Sequence, residues 1–84
     1  MTLGERILVL RHRLKLSQRQ LGKAAEIDGN TIARLERGEM LELSSMRIVR
    51  LAKVLQVSTD VLLGVVDMDE ESELEAAAEA LIGV

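Results

Sequence analysis

Apolar residues along the first 64 positions recur at spacings of three and four, and nowhere alternate with the two-residue rhythm of a strand, so the pattern predicts an all-helical chain. Leu3, Ile7, Leu10 and Leu14 line one side of a first helix, opened by Thr2 with Glu5 three residues on, the spacing of a capping box. A second helix starts at Ser17, where Ser17 and Gln20 form another such box. It carries Leu21, Ala24 and Ala25 as a narrow apolar face and ends near Glu26. Asp28 is the N-cap candidate for a third helix, which turns Ile32 and Leu35 inward and stops at Arg37 and Gly38, where glycine supplies a left-handed end. A fourth helix over Ser45 to Leu55 holds Ile48, Val49, Leu51, Ala52 and Leu55 as its apolar positions, and a short fifth over Thr59 to Leu63 ends at Gly64.

One device marks four of these starts. An apolar residue precedes the cap and another follows it by four, as in Leu16-Ser17 with Leu21, Ile27-Asp28 with Ile32, Leu43-Ser44 with Ile48 and Val57-Ser58 with Leu62, which is the pattern of a hydrophobic staple. The turn between the second and third helices is tight, and Asn30, Thr31 and Arg34 are left pointing outward. That polar face is free to read a partner.

The residues of this unit resemble the phage-repressor and Cro-type helix-turn-helix family, also known as the xenobiotic-response-element-like regulators. The likeness spans residues 3–64. It rests on Leu16-Ser17-Gln18 opening the second helix, Ile27 in the turn, and Ile32, Leu35, Glu36, Arg37 and Gly38 closing the third. Leu51-Ala52-Lys53, Leu55, Val57-Ser58 and Leu62-Leu63-Gly64 continue it in order downstream. The resemblance implies a compact five-helix, repressor-like DNA-binding domain over 1–64. It also implies a sequence-specific transcriptional repressor that acts as a homodimer on an inverted-repeat operator in double-stranded DNA, with no cofactor.

It further implies roles for particular residues. Asp28, Gly29, Asn30, Thr31 and Arg34 would face the major groove, and Gln18 would hold a phosphate at a helix N-terminus. The chemistry agrees for two of them, since arginine pairs bidentately with guanine and asparagine with adenine, which makes Arg34 and Asn30 the expected base readers. Arg19 and Arg37, with Lys23, add cations suited to phosphate. Arg11 and Glu36 fall at the margins of apolar faces, where each would be partly desolvated, and the family pairs those two positions as an ion pair. His12 points away from the first helix's core face and is expected to be exposed. With no second acid–base group in the motif, the chain is not expected to be an enzyme.

Composition narrows the setting. At 84 residues and 48% apolar, one domain of this size buries only about 60–65% of its unfolded surface, so it needs every apolar side chain. No cysteine is present, which removes disulfides and thiolate metal sites and favours a cytoplasmic protein. The longest apolar runs fall far short of the ~20 residues that span a bilayer.

The net charge of −3 hides an asymmetry: residues 1–64 hold all 11 Lys and Arg against seven acids, a net +4, and residues 65–84 hold seven acids and no base, a net −7. The acidic tail is expected to form a helix with Leu74, Ala77, Ala78 and Leu81 on one stripe, dimerising or packing on its own body.

Some positions depart from the family: Gly22 stands where alanine is usual, Glu26 where a turn glycine is common, and Gly29 where a longer side chain often reads a base. The segment Glu39-Met40-Leu41-Glu42-Leu43 is acidic and apolar where the family is commonly basic, and its apolar members Met40, Leu41 and Leu43 are expected to cover the core or, failing that, to meet another subunit. These departures support a second reading, a protein-interaction module or antitoxin with weak DNA affinity that engages a protein partner through the tail.

Overall fold

Each helix begins where a short polar side chain takes up an amide that has no partner inside the helix. The computed structural model of the protein describes residues 1–65. They form α1 (Leu3–Arg13), α2 (Gln18–Ala25), α3 (Gly29–Glu36), α4 (Ser45–Leu55) and α5 (Thr59–Leu63), with no strand among the described residues. The caps are Thr2, Ser17, Asp28, Ser44 and Ser58. The full reciprocal box forms only in α2, where Ser17 Oγ accepts from Gln20 N at 3.0 Å and Gln20 Oε1 accepts from Ser17 N at 2.8 Å. At Thr2 only the forward bond is made, from Glu5 N.

The five helices also end alike. In each, a residue in the left-handed region follows the last turn, and the amide after it donates five residues back: Leu16 N to Arg11 O, Ile27 N to Gly22 O, Glu39 N to Arg34 O, Val57 N to Ala52 O and Val65 N to Asp60 O. This is the Schellman arrangement. The left-handed residue is glycine at Gly38 and Gly64, but Lys15, Glu26 and Gln56 at the other three.

The core runs through all five helices, with Ile7, Leu10, Leu21, Ile32, Leu35, Leu51 and Leu62 fully buried. Fully burying a side chain of this kind stabilises the fold by about 1.5–3 kcal/mol. α3 packs on both α1 and α2, and α4 ties α2 to α5. α1 approaches the end of α3 backbone to backbone, since a Cβ at Gly4 would lie 1.7 Å from Leu35 O.

Several apolar positions lie elsewhere than expected. Ala24 is exposed, because α2 meets its neighbours through Leu21, Gly22 and Ala25 instead. Met40 and Leu43 pack against the core, but Leu41 is 66% exposed, the loop turning its side chain outward. Val49 is 38% exposed, lying on the side of α4 that borders a cleft shared with α5. The acidic helix anticipated over 65–84, with its stripe of Leu74, Ala77, Ala78 and Leu81, lies outside the described residues beyond Val65.

Candidate nucleic-acid interface

The α2–turn–α3 unit is shaped by backbone proximity. A Cβ at Gly22 would stand 2.4 Å from Ile27 O and 3.1 Å from Gly29 N, so the turn crosses α2 at the one residue that has no side chain. Glu26 then takes the left-handed conformation, and Asp28 Oδ1 accepts from Asn30 N at 2.8 Å to start α3. Arg50 of α4 donates from Nε to Ala25 O at 2.9 Å, satisfying a carbonyl at the end of α2. Nothing local in the sequence marks that arginine, because its partner is 25 residues away.

With Ile32, Ala33 and Leu35 buried, α3 turns Asn30, Arg34 and Arg37 outward. Their spacing of four and three puts them in one stripe along the helix. Arg19, Asn30 and Arg34 make no side-chain hydrogen bond or close ion pair among the described residues, and Arg19 lies exposed on the first turn of α2. Gly29 and Thr31 are half-buried. A Cβ at Gly29 would meet Arg19 Cα at an ordinary 3.6 Å, so a side chain would fit there, unlike at Gly22.

Behind the stripe, Arg11 and Glu36 meet in two parallel bonds, Nε to Oε2 and Nη2 to Oε1, both 2.8 Å, with side chains only 11% and 5% exposed. Arg11 Nη1 also donates to Leu16 O at 2.9 Å, and Gln18 Nε2 donates to Glu36 Oε1 at 3.0 Å. The cluster therefore joins α1, the start of α2 and the end of α3. Gln18, which the resemblance assigned to a phosphate, has its amide nitrogen on Glu36. His12 is half-buried, not exposed, because its Nε2 sits 3.4 Å from Arg11 Nη2 beside this cluster.

On the outward side, Arg37 donates from Nε to Glu39 Oε2. That hydrogen bond holds the Glu39 carboxyl below its ordinary range against slight desolvation, with the positive charges of Arg37 and Arg34 adding to it, and in turn raises Arg37. Sequence reasoning missed this pairing, although glutamate two residues beyond an arginine at a helix end was visible. Among the described residues no group of three His, Asp or Glu could hold a metal ion, and no helix is long and apolar enough to cross a membrane.

Comparison with curated proteins and with solved structures gave no match. A family model described as a helix-turn-helix domain matches residues 2–66.

Proposed function

The chain belongs to the helix-turn-helix domain family, and we propose on that basis that it is a sequence-specific DNA-binding transcriptional regulator, a repressor of the Cro type, not an enzyme. The observation that carries this reading is the stripe of Asn30, Arg34 and Arg37 along the outward side of α3. Its first two members have side chains free to bond to base edges, and the helix bearing them is held from behind by the Arg11–Glu36–Gln18 cluster. A recognition helix must be held rigidly, since bidentate pairing tolerates little misplacement. Arg34 and Asn30 read bases, and Arg19 meets phosphate. Asp28, Gly29 and Thr31 face the groove at the helix front, where Gly29 offers only backbone.

The protein acts as a homodimer on an inverted repeat, spanning half-sites about 34 Å apart. An apolar surface supports this. Leu41, Met46, Leu63 and Val65 are 66%, 65%, 49% and 71% exposed, and Leu63 and Val49 border a 380 Å³ cleft between α4 and α5. A second copy would cover apolar area that a lone domain leaves in water.

The test is selection of a site from a random duplex library with the full chain. Arg34→Ala and Asn30→Ala should each weaken the selected site by about 1–3 kcal/mol and relax the preference at one base pair. Arg19→Ala should weaken all DNA alike. Unchanged selected sequences for both Arg34 and Asn30 variants would overturn the base-reading roles. A full chain that is monomeric by light scattering would overturn the dimer. The second reading, an interaction module with weak DNA affinity, is favoured by one observation: a stripe cation, Arg37, is already bonded to a carboxylate.

A further inference from the structure

Among the residues that follow the left-handed ends of the five helices, four are apolar: Leu16, Ile27, Val57 and Val65. The fifth is Glu39. In this type of helix end, the side chain at that place folds back toward the last turn, commonly to make an apolar contact. The end of α3 is fixed the same way, by Gly38 N donating to Leu35 O at 3.0 Å, Glu39 N donating to Arg34 O at 2.9 Å, and Gly38 at φ +77°. What the folded-back side chain meets there is the cationic stripe, so a carboxylate lies against Arg37, with Arg34 one turn away.

A carboxylate and a phosphodiester oxygen accept the same charge-assisted bond from a guanidinium. We propose that Arg37, at the end of the stripe, is a backbone-phosphate site, and that in the free protein Glu39 fills it as a built-in stand-in for the phosphate. The inference rests on the DNA-binding reading and adds to it how the affinity of that site is set. Both partners of the pair are more than half exposed, at 57% and 52%, and an exposed pair is held weakly enough for an incoming phosphate to displace the carboxylate. The displaced carboxylate stays beside the backbone and offsets the charge that Arg37 brings, so the surface counts one neutralised phosphate fewer. Each phosphate neutralised contributes about 0.9 to the slope of log affinity against log salt. Glu39 thus lowers affinity for all duplex DNA alike and leaves base preference untouched.

The experiment uses the full chain and a fluorescein-labelled duplex of random sequence, with anisotropy read across a salt series. Circular dichroism confirms folding, which these exposed substitutions leave intact. Glu39→Gln should bind about fivefold tighter than the parent at ~0.15 M salt, with a slope steeper by about 0.9. Glu42→Gln removes the same charge from the same loop at an exposed residue outside the pair, and should change both quantities far less. Adding Glu39→Gln to Arg37→Ala should give no gain in slope. Equal effects of the Glu39 and Glu42 substitutions, or an unchanged slope in Glu39→Gln, would overturn the inference while leaving the DNA-binding reading standing. Failure of every variant and of the parent to bind duplex at the lowest salt would overturn that reading itself.

Discussion

Two arginine–glutamate pairs flank the end of α3, one through its last residue, Glu36, and the other through its C-cap, Arg37, and they serve opposite ends. Arg11–Glu36 faces inward, bonds bidentately and engages Leu16 O and Gln18 as well, with almost nothing exposed. Arg37–Glu39 faces outward through one bond, with both side chains more than half in water. The chemistry is the same, and solvent separates the outcomes. In the inner pair, loss of one partner strands a desolvated charge. In the outer pair, water and salt replace whatever is lost. The inner pair is therefore part of the scaffold, whereas the outer one is cheap to open and suited to exchange with another anion.

The largest expected effect comes from breaking the inner pair. Arg11→Ala or Glu36→Ala should lower unfolding free energy in urea by about 3–5 kcal/mol, and the double variant should lose less than the sum. Strict additivity would show that the two charges do not act together. A smaller effect should follow from Gly4→Ala, which leaves both pairs chemically intact but sets a Cβ against Leu35 O and 3.0 Å from Glu36 N. Pushing α1 off the end of α3 should cost about 1–3 kcal/mol by the same measurement. An unaffected midpoint would mean that α1 can retreat without strain.

The smallest effect belongs to the outer pair and is best read by pH. Because the folded Glu39 carboxyl lies below its ordinary range, its contribution to stability is present above that range and is lost as pH falls through the lowered value. Carboxyl titration by NMR should find Glu39 depressed at low salt and returning toward the ordinary range at 1 M, where the Debye length is about 3 Å. A depression that survives 1 M salt would mean the pair is shielded from solvent and resembles the inner one.

Local chemistry explains which parts of this were legible in the sequence. Ser17, Asp28, Ser44 and Ser58 announce helix starts because a cap bonds within three residues, and Gly38 and Gly64 announce ends because glycine adopts the left-handed region freely. Lys15, Glu26 and Gln56 occupy the same conformation without any compositional sign. The pairing of Arg11 with Glu36 could be expected from two helical wheels and a resemblance. The third partner, Gln18, could not, since it depends on how α2 docks. Gly22 looked like a departure from pattern, and the structure gives it a reason in the turn that passes over it. Arg6 of α1 is buried without any sign in the apolar pattern, its Nη1 on Met1 O at 2.6 Å and its guanidinium against Gly64. Glu39 shows in the sequence only as one acid of an acidic loop, and its bond to Arg37 does not, because a loop side chain's partner is set by the helix end that launches it.

The joints between helices carry a consequence for how the molecule opens. Leu16, Ile27 and Val57 each close one helix and also precede the cap of the next, so a single apolar side chain serves both neighbours. Fraying at such a joint loosens two helices at once, which couples their opening. After α3 the two duties fall to different residues, Glu39 and Leu43, with three residues between them. Native-state hydrogen exchange should accordingly divide the described residues at that loop, with α1 to α3 opening as one cooperative unit and α4 with α5 as another.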